Sequence, residues 1–134
     1  MTEPVSPAER AVLDTSVVIA DQVAPIPGVL AISAITLAEL NLGVLVATTT
    51  EVRAERLRRL SLLQQRFDAL PADEAVSVSY GRLAAAIVDA GRRPRRRVMD
   101  LMIAATAHAH GARLYTRNAR DFAGLEGLVN VIEV

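Results

Sequence analysis

The chain has 134 residues, of which 51% are hydrophobic and 22% are charged, and this composition excludes an intrinsically disordered protein. Its formal net charge is zero, so the charge of the whole molecule predicts no particular partner. The absence of cysteine excludes disulfide and thiolate chemistry, and two histidines without cysteine argue against a structural zinc site. The length predicts a single domain over residues 1–134 with room for a hydrophobic core.

The first nine residues, 1–9, are expected to form a loose N-terminal arm. The N-terminal sequence is acidic and polar, and it lacks the basic start and the apolar core of a signal peptide. No stretch of the sequence is long and apolar enough to span a bilayer. We therefore expect a cytoplasmic protein that has no membrane as a partner.

The first apolar run, residues 11–13, predicts a buried strand. It leads into the polar triplet DTS, residues 14–16, which is typical of a turn and a helix cap. Residues 29–33 predict a second strand. Thr36 is then expected to cap a helix that ends near residue 48, because Glu39 follows three residues later in the spacing of a capping box.

The rest of the chain alternates helical patterns with short apolar runs. Helices are predicted over residues 51–67, 73–90 and 97–110, a turn over residues 118–122, and strands over residues 113–116 and 128–134. Short apolar strands separated by helices are typical of a parallel sheet that is covered on both faces. The sequence therefore predicts an α/β fold, a three-layer α/β/α arrangement with a short parallel sheet of four to five strands flanked by helices.

One acid stands inside an apolar helical run, RVMDLMIAATAHA, residues 97–109. This acid is Asp100. Burying an unpaired carboxylate costs several kcal/mol or more, so such a group is usually neutralised, paired or bound to a metal. Arg97, one helical turn earlier, is a candidate partner for an ion pair. The alternative is a functional carboxylate whose environment is completed by a cation.

Four acids that are far apart in sequence are expected to converge at one edge of the sheet. In parallel sheets, ligands bind beyond the carboxyl ends of the strands. Asp14 and Asp121 follow predicted strands, and Glu39 and Asp100 are expected in the first turns of their helices. Carboxylates without histidine or cysteine suit Mg²⁺ or Mn²⁺, and such a site predicts phosphodiester hydrolysis.

Three of these acids also have a purely structural interpretation. Asp14 is a common type of turn cap, Glu39 could act only as the capping-box partner of Thr36, and Asp121 could belong to a turn with Asn118. The local sequence leaves both interpretations open for each residue.

The arginine run RRPRRR, residues 92–97, lies directly before Asp100 and is expected near the rim of the proposed site. Phosphate contacts by Arg95, Arg96, Arg97 and Arg117 are one interpretation, and a solvated loop is the other. His108 and His110 lie toward the far end of the same predicted helix. We expect them at the surface or at the edge of the core.

The motifs taken together resemble the PIN-domain ribonucleases, and specifically the VapC-type toxins of prokaryotic toxin–antitoxin pairs. The matching segments are VLDTSVVIA at 12–20, AITLAELNLGV at 34–44 and DLMIAATAHAHGARLYTRNARDFAGL at 100–125. They run across most of the chain in the order of the family. The last segment carries the strongest resemblance.

The resemblance implies a Mg²⁺- or Mn²⁺-dependent endoribonuclease that inhibits translation or growth. It implies that Asp14, Glu39, Asp100 and Asp121 are the catalytic and metal-binding acids. It also implies that four neighbouring polar residues support the site: Thr15, Ser16, Thr116 and Asn118.

The same resemblance implies partners: an RNA substrate, a second copy of the chain in a homodimer, and a VapB-type antitoxin. Residues 45–90 match the family only in length and helical character. They are expected to supply the surfaces for the dimer and the antitoxin.

Two other functions stay open at this point. The first is a catalytically inactive PIN-like scaffold that binds RNA or protein, although all four acids are present. The second is a haloacid-dehalogenase-type phosphatase, because LDTS after a strand superficially resembles its nucleophile loop. That loop normally needs a second acid two residues after the first, and Ser16 stands there.

Overall fold

The computed structural model of the chain describes residues 9–134, so the expected N-terminal arm falls outside the described residues except for Glu9. Within this range the strands are β1 (Arg10–Leu13), β2 (Val29–Ser33), β3 (Asp68–Leu70), β4 (Arg113–Thr116) and β5 (Val131–Glu133). They form one parallel sheet in the order β3-β2-β1-β4-β5. The prediction of a parallel sheet of four to five strands is confirmed.

Five α-helices connect the strands of the described chain: α1 (Thr15–Val18), α2 (Ala34–Leu45), α3 (Thr50–Arg66), α4 (Glu74–Asp89) and α5 (Val98–Ala109). Short 3-10 turns at Pro94–Arg97 and Ala119–Phe122 precede α5 and follow β4. No helix in residues 9–134 combines the length and the apolar character that crossing a membrane requires.

The central strand β1 is buried on both faces, as parallel strands usually are. Val12 packs with Leu114 and the apolar faces of α4 and α5 in one core. Leu13 faces the other way and packs with Ile32 and Val17 in a second core. Because successive strand residues point to opposite faces, three apolar residues in a row place one core on each side of the sheet. The three-layer α/β/α arrangement is confirmed.

The predicted start of the second helix is wrong by one turn. Ser33 is the N-cap of α2, and its hydroxyl accepts a hydrogen bond of 3.0 Å from the backbone N–H of Ile35. Thr36 is fully buried inside the helix and does not cap it. Glu39 therefore lies in the second turn of α2 rather than the first. The helix also ends earlier than predicted, at Leu45.

Strand β3 was not predicted from the sequence, and the last strand, β5, is shorter than predicted. Strand β3 is only Asp68–Leu70, directly after α3, and its first two residues are exposed. An edge strand of this kind shows no apolar run or alternation that a sequence pattern could reveal. The last strand covers Val131–Glu133, whereas residues 128–134 were predicted. The 3-10 turn displaces the predicted start of α5 from Arg97 to Val98.

Candidate active site

Asp14 lies at the carboxyl edge of the sheet, immediately after β1, and only 6% of it is exposed. Two hydroxyl groups donate to the same carboxylate oxygen. Ser16 Oγ lies 2.6 Å from Asp14 Oδ2, and Thr116 Oγ1 lies 2.9 Å from it. These contacts fix the plane of the carboxylate and leave Oδ1 as the oxygen that they do not occupy. Within residues 9–134, no side chain donates a hydrogen bond to Oδ1.

The backbone that follows β4 orients both hydroxyls. The N–H of Arg117 donates to Ser16 Oγ over 3.0 Å, and the N–H of Asn118 donates to Thr116 Oγ1 over the same distance. A hydroxyl has one proton, so a hydroxyl that accepts from the backbone can direct that proton to Asp14. Ser16 and Thr116 are thus hydrogen-bonded to Asp14, and the backbone N–H of Asn118 orients Thr116. Their role in supporting a catalytic site stays a prediction.

Glu39 is positioned by a second pair of hydroxyls. Thr15 Oγ1 donates to Glu39 Oε1 over 2.8 Å, and it lies 3.0 Å from Thr36 Oγ1. Because the proton of Thr15 is directed to Glu39, Thr36 is the donor in its contact with Thr15. The role of Thr36 was missed because its spacing to Glu39 also fits a capping box. The tertiary contact between α1 and α2 distinguishes the two roles.

Asp100 lies in the first turn of α5, where it is partly buried. Its pKa is raised from the usual 3.8 to about 6, most strongly by burial and then by the negative charges of Asp14, Asp121 and Glu39, in that order. The positive charge of Arg97 acts in the opposite direction on this pKa. The fields of all three other acids therefore reach Asp100, which places the four predicted acids around one region.

Arg97 forms its ion pair with Asp121 rather than with Asp100. Its Nη1 lies 3.1 Å from Asp121 Oδ1, and both side chains are partly exposed. The alternative interpretation of Asp100, an ion pair with Arg97, is not what the structure shows, because the guanidinium of Arg97 contacts Asp121 instead. Asp100 therefore has no ion-pair partner among residues 9–134, and three negative charges and one positive charge act on its pKa.

The four carboxylates do not form a complete metal-binding site in this structure. Among residues 9–134, no three acidic or histidine side chains lie close enough together to hold a metal ion as they stand. Thr15 is hydrogen-bonded to Glu39, and Arg97 is hydrogen-bonded to Asp121. The donor set nevertheless fits Mg²⁺ or Mn²⁺, because it offers only hard oxygen ligands and an excess of negative charge. The assignment of these acids as metal ligands stays a prediction.

The basic residues around the site differ in their surroundings. Arg95 and Arg96 are exposed on the 3-10 turn before α5, and Arg117 is exposed with its Nη1 3.4 Å from the carbonyl oxygen of Gln22. Their contact with RNA phosphate stays a prediction. Two further arginines, Arg56 and Arg59, line a groove beside Glu39 and were not among the predicted site residues. Their spacing of three residues on one helix was the only available signal.

The two histidines lie away from the acids and are partly buried, as predicted. His108 Nδ1 lies 2.8 Å from Ser79 Oγ, a contact that joins α5 to α4. The backbone carbonyl of His110 accepts a hydrogen bond from Arg10.

The chain is similar to known proteins over most of its length. Residues 11–128 match the family model of the PIN domain. The chain is 40% identical over 126 residues to Ribonuclease VapC5 of Mycobacterium tuberculosis, which covers 90% of each protein.

Solved structures show the same fold. A chain in the crystal structure of VapBC-5, a member of the VapBC family of toxin–antitoxin systems from Mycobacterium tuberculosis, matches with a TM-score of 0.83 and 40% identity. That match covers 94% of this chain and 99% of the other. A chain of FitAcB from Neisseria gonorrhoeae matches with a TM-score of 0.74 and 28% identity, covering 92% of this chain and 96% of the other. The chain described here therefore belongs to the PIN-domain family and, within it, to the VapC group.

Proposed function

We propose that the protein is a Mg²⁺- or Mn²⁺-dependent endoribonuclease and the toxin of a type II toxin–antitoxin pair. The observation that carries the proposal is that three other acids, Asp14, Asp121 and Glu39, act on Asp100, where burial and these negative charges raise the carboxyl pKa to about 6. Perturbed carboxyl groups of this kind are common at catalytic sites. The relative named Ribonuclease VapC5 supports RNA as the substrate.

Asp14, Glu39, Asp100 and Asp121 would hold the cation. A bound Mg²⁺ or Mn²⁺ would supply charge for the scissile phosphate and acidify a water molecule. The protein itself contributes orientation. Ser16 and Thr116 donate to Oδ2 of Asp14, so Oδ1 would be the oxygen that binds the cation, and Thr15 donates to Glu39.

Arg97 would compensate Asp121 until substrate or cation arrives. Its guanidinium can then turn to an RNA phosphate, since a partly exposed ion pair is weak and exchanges easily. Arg95, Arg96 and Arg117 would extend the same basic rim along the RNA backbone.

The proposal includes partners. The related structure titled VapBC-5, from a toxin–antitoxin family, supports a VapB-type antitoxin as a partner. This antitoxin would block the nuclease, and the chain itself would form a homodimer. Release of the toxin would cut RNA and inhibit translation or growth. The exposed apolar residues at the end of α2, Leu42, Leu45 and Val46, are available for these interfaces.

The test is cleavage of total RNA by the wild type and by Asp100→Asn, with Mg²⁺, Mn²⁺ or chelator, followed by mapping of the cut ends. Asp68→Asn is the matched control, because Asp68 is exposed on β3, two strands away from β1. We expect metal-dependent cuts at few positions for the wild type and the control. Loss of a catalytic electrostatic group typically lowers the rate by about 10²–10³-fold, and we expect at least that loss for Asp100→Asn.

The outcomes separate the alternatives. No cleavage of total RNA or host RNA by folded, antitoxin-free wild type would contradict the nuclease and support an inactive scaffold. Full activity of Asp100→Asn would contradict the proposed site. The dehalogenase-type phosphatase has no support in the geometry, because Ser16 donates to Asp14 and no acid stands at its position.

A further inference from the structure

A groove beside the acidic site has no role in the proposed nuclease function. It lies between α1, α2 and α3 and encloses about 470 Å³, within the range of about 300–1,000 Å³ that is typical of ligand sites. Thr15 and Glu39 form the wall that it shares with the acidic site. Leu40 and Leu60 contribute apolar surface, and Arg56 and Arg59 complete the lining. The groove thus joins an acidic wall, apolar surface and two cations in one short space.

Both arginines are held by neutral partners. Arg56 Nη1 donates to the carbonyl oxygen of Gly43 over 2.7 Å, and Arg59 Nη1 donates to that of Ile19 over 3.2 Å. A carbonyl orients a guanidinium without cancelling its charge. Within residues 9–134, the one carboxylate within 4 Å of either guanidinium is that of Asp21, which lies 3.8 Å from Arg59 Nη2 and is 94% exposed, so it compensates little charge. The groove therefore carries two oriented positive charges with most of their donors free.

We propose that this groove is a nucleotide subsite of the nuclease, in which Arg56 and Arg59 bind a backbone phosphate next to the scissile one. The apolar surface of Leu40, Leu60 and Ile19 receives the adjoining base. The subsite rests on the proposed nuclease function, because the scissile phosphate would lie at the other acids of the site, Asp14, Asp100 and Asp121.

The alternation of charges favours RNA over a protein as the occupant. A chain that crosses from the acids into this groove meets a cation site, apolar surface and a pair of arginines within one small space. Single-stranded RNA repeats phosphate and base at each nucleotide, and arginine forks match phosphate oxygens well. An apolar protein segment would leave both arginines without an anionic partner.

The first experiment measures binding of a short, fluorescently labelled single-stranded RNA of random sequence in chelator, at several salt concentrations. The double variant Arg56→Gln/Arg59→Gln is compared with Arg53→Gln/Arg58→Gln. The control pair removes the same charge from the same helix, but neither residue lines the groove. We expect the first pair to bind about tenfold or more weakly and to flatten the salt slope by about 0.7 for each phosphate that it no longer binds. Equal weakening in both pairs would overturn the subsite.

The second experiment fills the groove without changing charge. Gly43 lines the groove inside α2, and a Cβ added there meets no atom within 4 Å. Gly43→Leu should therefore fold well, since leucine is also the better helix former. We expect it to weaken RNA binding several-fold while leaving the salt slope unchanged. Gly81→Leu, at a similarly open position in α4 outside the groove, is the matched control and should bind as the wild type does. Wild-type affinity in Gly43→Leu would contradict a base in the groove.

A third experiment tests whether the groove binds RNA or an acidic protein. A poly-glutamate peptide offers carboxylates without bases or phosphates. Binding of this peptide that depends on Arg56 and Arg59, together with unchanged RNA binding in their double variant, would overturn the RNA subsite in favour of an acidic protein. Failure of the subsite is distinguishable from failure of the nuclease, because all binding is measured without catalysis. Wild-type cleavage that is lost in Asp100→Asn but unchanged, at the same cut positions, in the arginine pair would overturn the subsite alone.

Discussion

Asp14 and Asp100 face the same region but are held in opposite ways. Asp14 is the more buried residue, yet two hydroxyls donate to one of its oxygens. Asp100 is only partly buried, and its pKa is raised by burial and by three neighbouring acids, with no hydrogen bond from the described residues to offset them. The two carboxylates therefore differ in how the fold treats them. Hydrogen bonds hold Asp14 in place, whereas Asp100 lies in an environment that a bound cation would make more favourable.

The largest expected effect is stabilisation by metal. A cation that binds only the folded state stabilises it by about 2.7 kcal/mol at a concentration of 100 Kd. We expect added Mn²⁺ or Mg²⁺ to raise the Tm of the wild type and of Asp68→Asn, and to have little effect on Asp14→Asn or Asp100→Asn. Thermal unfolding with metal or chelator measures this effect. An unchanged wild-type Tm at every metal concentration would contradict the metal site in the free protein.

The second largest expected effect is a loss of stability when a hydrogen bond to Asp14 is removed. Thr116→Val keeps the shape of the buried side chain but removes a donor to Asp14 and an acceptor for the N–H of Asn118. Leaving buried polar groups without partners costs about 1–3 kcal/mol, and we expect a loss of this size in urea unfolding.

Two further variants test whether the loss comes from the hydroxyl. Thr116→Ser should restore most of the stability, because it keeps the hydroxyl. In an Asp14→Asn background, the cost of Thr116→Val should be smaller, since the charged acceptor is gone. An equal cost in both backgrounds would show that the hydroxyl does not act through Asp14.

The comparison also predicts a stability gain at Asp100. A carboxyl group whose pKa is raised by folding binds its proton more tightly in the folded state, so its contribution to stability falls as pH rises from about 4 through about 6. In chelator at about pH 8, Asp100→Asn should therefore be more stable than the wild type, by about 1–2 kcal/mol once solvent screening is allowed for. The same variant should have lost nuclease activity.

The pH dependence provides the control for this prediction. The difference in unfolding free energy between Asp100→Asn and the wild type should shrink as pH falls from about 7 to about 4, because the wild-type carboxyl becomes neutral. Urea unfolding at a series of pH values, in chelator, measures this difference. A difference that is constant over this range would show that Asp100 is not the titrating group.

The smallest effect is expected at the exposed ion pair of Arg97 and Asp121. Pairs of this exposure contribute less than about 1 kcal/mol, so Arg97→Gln should change stability only slightly. It should nevertheless raise the pKa of Asp100, since the positive charge of Arg97 acts against the shift. The same pH series of urea unfolding, repeated in the Arg97→Gln background, should show its midpoint at higher pH. A midpoint at lower pH would contradict the electrostatic account.

The amino-acid sequence by itself determined the elements that carry the site. The apolar run before Asp14 and the apolar helix around Asp100 are local patterns, and both are found where they were predicted, within about one residue. The order of strands and helices also sufficed for a parallel three-layer fold, because parallel strands need crossover helices. The position of the acids near one edge followed from that topology.

Only the tertiary structure decided which groups meet. The same spacing of Thr36 and Glu39 fits a helix cap and a buried hydroxyl chain, and the packing of α1 on α2 selected the second. The sequence offered Asp100 as a candidate partner of Arg97, whereas in the folded chain Arg97 pairs with Asp121, which is 24 residues away in sequence. The groove of Arg56 and Arg59 exists only because α3 packs beside α1 and α2. Local patterns specify backbone conformation, whereas contacts between distant side chains depend on how the elements pack in three dimensions.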